Sequence, residues 1–200
     1  MTSPSDVEIR IVDEANIENV VAIHCAALPN DILPNLGKKI IRKYYKNIMS
    51  DDSQLLIGAF INKELRGFVQ FSRDSFGVAK FVDGFNTIAT LIRAAIIRPN
   101  IFYAGCMQMF KAKRIEGAAE ISFIAVLPEQ QGKGIGSKLL GFITEYGLSS
   151  NIETISTKTA NKELRDFYIK KYGAKEIYHF SVGKNTYYQL IWPCSIRQYA

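Results

Sequence analysis

Three alternating glycines, Gly132, Gly134 and Gly136, separate a predicted strand from a predicted helix, and they constrain the fold more than any other feature of this chain. Residues 121–127 are rich in β-branched and aromatic side chains, which predicts a buried strand that Pro128 terminates. The glycines remove side chains where the backbone enters the helix. Since a helix N-terminus carries unpaired N–H groups and a positive dipole end, we expect a diphosphate to bind here.

The helix that follows the glycines is indicated by apolar residues at helical spacing. The residues that define its buried face are Ile135, Leu139, Ile143 and Tyr146. Gly147 and the polar residues after it predict the end of the helix. The segment as a whole therefore predicts a strand, a glycine turn and an amphipathic helix in succession.

The composition of the 200 residues is that of a folded protein, and we expect a single domain over residues 1–200. The formal net charge of +6 favours anionic partners, whether nucleic acid, an anionic membrane surface or a phosphorylated ligand, without choosing between them. The three cysteines, Cys25, Cys106 and Cys194, have no metal-like spacing, and the polar N-terminus does not resemble a signal peptide. These features predict a reduced, cytoplasmic protein without a bound metal.

Hydrophobic periodicity predicts seven strands and, outside one irregular region, four helices. The predicted strands span residues 7–12, 55–61, 65–72, 121–127, 154–159, 175–182 and 186–192. The predicted helices span residues 17–28, 36–49, 135–146 and 161–172. Between the third and fourth strands, residues 74–117 show a helical pattern interrupted by Pro99, which predicts a helical insertion. The order predicts an α/β fold with a mixed, partly antiparallel sheet and helices on both faces.

Two nucleotide-binding motifs do not fit the glycines. A Walker A loop ends in Gly-Lys-Ser/Thr, whereas Gly136 is followed by Ser137 and then Lys138. A dinucleotide-binding fingerprint needs the spacing Gly-x-Gly-x-x-Gly and an acidic residue after the next strand, where residues 157–159 are Thr-Lys-Thr. We therefore set both interpretations aside.

A third motif fits better. Gln131, Gly134 and Gly136, following Val126 and Pro128, resemble the acyl-CoA signature of the GNAT superfamily of N-acetyltransferases, which is Gln/Arg-x-x-Gly-x-Gly/Ala. The resemblance implies the GNAT-like sheet order and an acyl-CoA at the glycine turn.

Residues 161–173 resemble the second motif of the same superfamily, Asn-x-x-Ala-x-x-Phe/Leu-Tyr ending in Lys-x-Gly-Phe. The departures lie around the helix: Leu164 stands where a small residue is usual, one extra residue precedes Gly173, and Ala174 replaces the usual Phe. Together the two motifs cover about residues 120–173, while the N-terminal part agrees in topology only.

The resemblance implies an acetyl-CoA site built mainly from backbone groups. The residues that it assigns to the cofactor are Ile124, Ala125, Val126, Gln131, Gly132, Lys133, Gly134, Ile135, Gly136, Ser137 and Asn161. Amides of residues 131–137 would hold the diphosphate, and the strand backbone at 124–126 would pair with the pantetheine. The N–H of Val126 would donate to the thioester oxygen. Asn161 would orient the cofactor, and Tyr168 would protonate the departing thiolate.

Transfer to an amine needs a neutral nitrogen, and an alkyl ammonium group with a pKa of about 10 is mostly protonated at pH 7. A base or a desolvating pocket must correct this. Glu120, at the start of the cofactor strand, is the candidate base, acting directly or through a water molecule.

Each assignment has a structural alternative. The glycines would also permit close helix–strand packing, and Asn161 would also serve as a helix N-cap. Tyr168 shares a helical face with core residues, and Glu120 would also be an ordinary carboxylate at a strand end. His24, beside Cys25 on an apolar helix, is interpreted as a packed, hydrogen-bonded histidine rather than a catalytic one.

The sequence leaves the amine acceptor open. Residues 38–46 form a basic run on a helix that, by resemblance, borders the acceptor site, so an anionic small molecule such as an amino sugar, with or without a nucleotide, is the working hypothesis. The alternatives for the insertion are a flap over the acceptor cleft, a homodimer contact and a membrane contact. No nucleic-acid-binding motif is present, and nucleic acid is not an expected partner. The alternative to an enzyme is a non-catalytic CoA-binding or regulatory module on the same fold.

Overall fold

The computed structural model describes residues 7–73, 95–97, 99–113 and 115–194. Its strands are β1 Val7–Ile11, β2 Gln54–Ile61, β3 Glu64–Ser72, β4 Ala118–Val126, β5 Thr154–Thr159, β6 Lys175–Val182 and β7 Asn185–Pro193. Its helices are α1 Ile17–Ala27, α2 Ile32–Leu36, α3 Lys38–Met49, α4 Pro99–Lys111, α5 Ile135–Ser149 and α6 Lys162–Tyr172. Short 3₁₀ turns span Glu14–Asn16 and Pro128–Gln130.

The seven strands form one sheet in the order β1-β2-β3-β4-β5-β7-β6. Only the β4–β5 pair is parallel, and the other five pairs are antiparallel. The β2–β3 hairpin turns at Asn62 and Lys63, whose φ angles of +51° and +66° suit a tight turn that matches the strand twist. The predicted mixed sheet is confirmed.

The parallel pair is short, and the two strands then separate. Residues Ala118 to Ile121 of β4 pair with Thr154 to Thr157 of β5, and the pairing stops there. Beyond this point β4 stays paired with β3, while β5 stays paired with β7. The sheet therefore opens between its two central strands.

Helices cover both faces of the sheet, as the sequence predicts. On one face, α5 and α6 pack over a core that includes Ile57, Val69, Ile121 and Ile155. On the other face, α1 and α3 pack over a second core that includes Leu56, Phe68 and Ala125. The alternation of strand side chains between the two cores follows from the pleat.

Two helix boundaries differ from the prediction. The helix predicted over residues 36–49 begins at Lys38, because Gly37, with a φ of +97°, separates it from α2, a short helix that the sequence analysis does not predict. The α5 helix does not end at Gly147 but continues to Ser149. Gly147 is buried there, and a Cβ on it would lie 2.6 Å from Sγ of Cys194, so close packing rather than helix termination explains this glycine.

The α4 helix lies in the region of the predicted insertion. A Cβ on Gly105 would lie 2.2 Å from Cδ1 of Ile32, so α4 packs closely against α2. At its other end, Nζ of Lys111 donates to the carbonyl of Ser181 on β6 over 3.0 Å. The helix thus spans from α2 to the β6–β7 hairpin. The rest of the predicted insertion, including most of its first helix, lies outside the described residues.

Candidate active site

The glycine turn presents a bare helix N-terminus. Gly132 and Gly134 have φ angles of +75° and +79°, which L side chains rarely adopt, and Gly134 is the N-cap of α5 without a side-chain cap. A Cβ on Gly132, Gly134 or Gly136 would meet no atom within 4 Å, so the space in front of all three is open. The first N–H groups of α5 are therefore accessible to an anion.

Gln131 fastens the turn to the end of β4. Its Nε2 donates to the carbonyl oxygen of Val126 over 3.0 Å, across the 3₁₀ turn. Neighbouring Lys133 is exposed, and its Nζ donates to Oε1 of Gln130 over 3.1 Å. The glutamine of the motif thus has a structural role, since it holds the glycine turn next to the end of β4.

The edge of β4 that faces the opening carries peptide groups that β3 does not bind, and the carbonyl of Val126 among them accepts from Gln131. The N–H of Leu127 donates to the carbonyl of Arg66, and residues in an antiparallel pair alternate between hydrogen-bonded and non-hydrogen-bonded positions. The peptide groups of Val126 and Ile124 consequently point away from β3, toward the side that β5 has left. The side chain of Ala125, between them, is buried on the α1–α3 face.

A β-bulge lies where the strands separate. Gln70 pairs with Phe123 and Phe71 pairs with Ile121, so Ser122 is an extra residue in β4. Its Oγ is buried and has no hydrogen-bond partner. No sequence signal predicts this bulge.

Tyr168 is almost completely buried, and its hydroxyl oxygen has no hydrogen-bond partner among the residues that the structure describes. Its ring stacks on Trp192 with centroids 5.2 Å apart, which fixes the side chain within the core under α6. Burial raises the pKa of the Tyr168 hydroxyl, so that it stays protonated through the physiological range. A buried, protonated and unpaired hydroxyl is available as a proton donor, and it also fits the core position that the sequence offers as an alternative.

Asn161 is the N-cap of α6, with Oδ1 accepting from the N–H of Leu164 over 3.1 Å. The structural alternative for this residue is therefore present, and its amide NH₂ group remains as a donor. Glu120 is buried, and its Oε1 lies 2.8 Å from Nζ of Lys158 on β5. The ion pair gives Glu120 a cationic partner that sequence reasoning does not include.

The sheet face that carries Glu120 is unusually polar. Tyr44 donates to Oε1 of Gln70 over 2.9 Å, and Nε2 of Gln54 donates to Oγ of Ser72 over 2.7 Å. Register places Ser72 beside Glu120. This buried row of polar groups, which we call the polar floor, lies on the sheet face that α1 and α3 cover. Such groups are retained in a core when they are hydrogen-bonded, and here they extend to the opening between β4 and β5.

His24 is packed and hydrogen-bonded, as the sequence predicts. Its Nδ1 lies 2.6 Å from the hydroxyl oxygen of Tyr45, and its ring contacts Phe123 edge to face with centroids 4.9 Å apart. Burial lowers the pKa of His24 to about 4, so the ring is neutral at pH 7. Its Nε2 lies 3.9 Å from Oδ1 of Asp31 and has no hydrogen-bond partner in the described part of the chain.

The sequence profile of the acetyltransferase (GNAT) family matches residues 26–174, which is most of the chain. The chain therefore belongs to the GNAT family of acetyltransferases. Solved structures agree with this assignment at the level of the fold. Among curated proteins, no sequence relative matches.

Three solved structures illustrate the similarity. PaiA N-acetyltransferase from Thermoplasma acidophilum, in complex with coenzyme A, is 16% identical with a TM-score of 0.60, over 94% of this chain and 98% of that one. A histone acetyltransferase HPA2 and related acetyltransferase from Corynebacterium glutamicum is 14% identical with a TM-score of 0.63, over 96% and 99% of the two chains. The ribosomal-protein-S18-alanine N-acetyltransferase from Escherichia coli is 12% identical with a TM-score of 0.58, over 95% of each chain.

Within the described residues, no cluster of three or more His, Cys, Asp or Glu side chains could hold a metal ion. Across the same residues, no helix has the length and apolar character needed to cross a bilayer.

Proposed function

We propose that this chain transfers an acetyl group from acetyl-CoA to a primary amine by direct attack of the amine on the thioester. The observation that carries the proposal is the juxtaposition of a bare, glycine-lined helix N-terminus with a strand edge whose peptide groups face an opening in the sheet. The first feature suits a diphosphate, and the second suits the amide-bearing pantetheine.

The residues present fit coenzyme A. The amides from Gln131 to Ser137 would receive the diphosphate, with Gly132, Lys133, Gly134, Ile135 and Gly136 contributing backbone at close range. The peptide groups of Ile124 and Val126 would bind the pantetheine arm, and the N–H of Val126 would donate to the thioester oxygen, where negative charge develops. The NH₂ group of Asn161 would orient the cofactor. The thioester supplies the activated acyl group.

Binding both reactants in one cleft would supply much of the rate, and no covalent enzyme intermediate is needed. Tyr168 would give its hydroxyl proton to the departing sulfur, and its burial and raised pKa support this role because they keep that proton in place. Glu120 would remove a proton from the amine, directly or through a water molecule. Its ion pair with Lys158 is the observation that weighs against this second assignment.

An anionic amino sugar remains our finer proposal for the acceptor, with less support than the transfer itself. Two cations of the basic run are engaged on the outer side of α3: Arg42 bonds Glu18, and Nζ of Lys46 lies 2.9 Å from Oε1 of Glu14. Tyr44, which faces the polar floor, is on the other side of this helix. The acceptor's charge is therefore best determined by experiment.

The test is thiol release from acetyl-CoA with a panel of primary amines that differ in charge: glucosamine, glucosamine 6-phosphate and 1,4-diaminobutane. We expect turnover of at least one amine and CoA binding by calorimetry. CoA binding without turnover of any amine would favour a non-catalytic CoA-binding module, which the Glu120–Lys158 ion pair also fits. Turnover of neutral or cationic amines alone would exclude the anionic acceptor.

A further inference from the structure

Asp31 carries a partly buried carboxylate that has no cationic partner among the described residues. It lies between α1 and α2, and its side chain is 26% exposed. Its Oδ1 accepts from the N–H of Leu33 over 3.1 Å and so caps α2. The only ion-pair contact that it makes within the described residues is with His24, which is neutral at pH 7. Within the described part of the chain, no cation therefore compensates the charge of Asp31.

The nearest polar atom to this carboxylate, on the α1 side, is Nε2 of His24. The distance of 3.9 Å from Nε2 to Oδ1 is too long for a hydrogen bond. His24 is 0% exposed, and a buried ring nitrogen without a partner is costly. The imidazole of His24 and the carboxylate of Asp31 thus lie next to each other without forming a hydrogen bond.

Contacts of His24 locate Asp31 relative to β4. The ring of His24 packs edge to face on Phe123, the residue that directly follows the bulge at Ser122. Asp31 is consequently on the polar sheet face, close to the segment of β4 that opens away from β5.

Contacts of α2 locate Asp31 relative to the other side of the opening. Asp31 caps α2, and α2 packs on α4 where Ile32 meets Gly105. From α4, Nε2 of Gln108 donates to the hydroxyl of Tyr187 on β7 over 2.7 Å. In the sheet, β3 and β7 flank the β4–β5 pair. Asp31 therefore lies between α1, which packs over β3 and β4, and α4, which reaches β7.

We propose that Asp31 binds the ammonium group of the acceptor and takes its proton, so that the substrate class is a primary amine that arrives protonated. This inference rests on the proposed acetyl transfer and replaces Glu120 as the base. The remainder of the acceptor would lie along the polar floor, beside Nε2 of His24.

The proton transfers balance. An ammonium N–H bond breaks and an O–H bond forms on Asp31, which leaves a neutral amine with its lone pair free. The C–N bond then forms at the acetyl carbon as the C–S bond breaks. As the amide forms, the nitrogen loses its second proton to solvent and Tyr168 gives its proton to the sulfur. Solvent then reprotonates Tyr168 and takes the proton from Asp31, so that the products are the amide, the CoA thiol and one proton.

Two observations favour Asp31 over Glu120. The carboxylate of Glu120 already has a cationic partner in Lys158, so a second cation gains less from it. Burial raises the pKa of Asp31, which brings a carboxyl group closer to the range in which it exchanges protons at neutral pH. The titratable groups around it are His24 on α1, Tyr44 and Tyr45 on α3, Glu120 on β4 and Tyr187 on β7.

The test is the variant Asp31→Asn, because asparagine keeps an oxygen to cap α2 and removes only the charge. The matched control is Asp13→Asn, which makes the same change at another capping aspartate, far from the opening on the Glu14–Asn16 turn. Glu120→Gln is the competing variant. The measurements are kcat/KM for the best amine of the panel, KM for acetyl-CoA, CoA affinity and the thermal midpoint.

We expect Asp31→Asn to lower kcat/KM for the amine at least about a hundredfold, the scale of one general base. KM for acetyl-CoA and the thermal midpoint should be unchanged, and residual activity should rise with pH as free amine accumulates. Activity within threefold of the parent protein would overturn the proposal, as would an equal loss of CoA affinity or folding. If the parent protein binds CoA and acetylates no amine, the proposed function itself fails; if it is active and only Glu120→Gln is not, this inference alone fails.

Discussion

The carboxylate of Glu120 and the ammonium group of Lys158 are 2.8 Å apart, and their ion pair joins β4 to β5 where the two strands begin to separate. Glu120 is buried, whereas the Lys158 side chain is 34% exposed. Removing Lys158 would leave a buried charge without its partner, which is more costly than removing both groups.

We therefore expect Lys158→Met to lower the free energy of unfolding by about 1–2 kcal/mol, less than for a fully buried pair because Lys158 is partly solvated. The double variant Glu120→Gln, Lys158→Met should recover part of this loss in urea titrations. Lys175→Met, at an exposed lysine of β6, is the control and should have little effect. A double variant that loses the sum of both single losses would argue against a stabilising pair.

A substitution at Gly136 should affect stability and CoA affinity in opposite directions. It lies within α5 with open space around its Cβ position, so Gly136→Ala should raise the free energy of unfolding by up to about 1 kcal/mol. The same methyl group would meet the diphosphate, and calorimetry should show CoA affinity reduced at least tenfold. Gly141→Ala, in open space farther along the same helix, should stabilise equally and leave the affinity unchanged. Equal CoA affinity in the two variants would place the diphosphate elsewhere.

Tyr168→Phe distinguishes catalysis from packing. The hydroxyl is buried without a partner, so its removal relieves a polar group of its desolvation cost, and the free energy of unfolding should stay the same or rise. If the hydroxyl donates the proton to sulfur, kcat should fall about a hundredfold. The control is Tyr172→Phe, one turn along the same helix, whose kcat should be close to that of the parent protein. Unchanged kcat in Tyr168→Phe would leave Tyr168 as a core residue.

His24 should make stability depend on pH. Its pKa is lowered from 6.5 to about 4 by burial, so the unfolded chain binds more protons between these values, and stability falls as the pH drops from 6.5 toward 4. The contribution at stake is about 3 kcal/mol. The raised pKa of Asp31 acts in the opposite direction, because the folded protein then binds more protons at this carboxyl than the unfolded chain does.

The measurement is the free energy of unfolding at pH 7 and at pH 5 for the parent protein and for His24→Gln. The decrease should be smaller in the variant, while His179→Gln, at the exposed histidine of β6, should retain the full decrease. An equal decrease in all three proteins would show that His24 is protonated in the folded state.

Local features of the chain were predictable because their causes are local. The glycine turn, the hydrophobic periods and the Asn-Lys hairpin specify the elements, and the family motif orders them. The start of α3 after Gly37 and the continuation of α5 through Gly147 were not predictable in this way, because a glycine can serve as a hinge, a helix terminator or a site of close packing. At Gly147, the contact with Cys194 decides between these roles.

The polar part of the site was less predictable, because its members are distant in sequence. Nothing local links Glu120 to Lys158, Tyr44 to Gln70, or Asp31 to His24. The bulge at Ser122 likewise results from the register between β3 and β4 rather than from a residue preference. Each becomes visible only when the sheet order is known.

The short parallel seam has a mechanical consequence. Across the described strands, the β1–β4 block of the sheet is paired with the β5–β7 block through four residue pairs of β4 and β5. A ligand that lies along the open edge of β4 and contacts α6 would bind to both blocks and hold them together. At a CoA concentration one hundred times its Kd, the free energy of unfolding should rise by about 2.7 kcal/mol. Amide hydrogen exchange should then slow in both blocks of the sheet together.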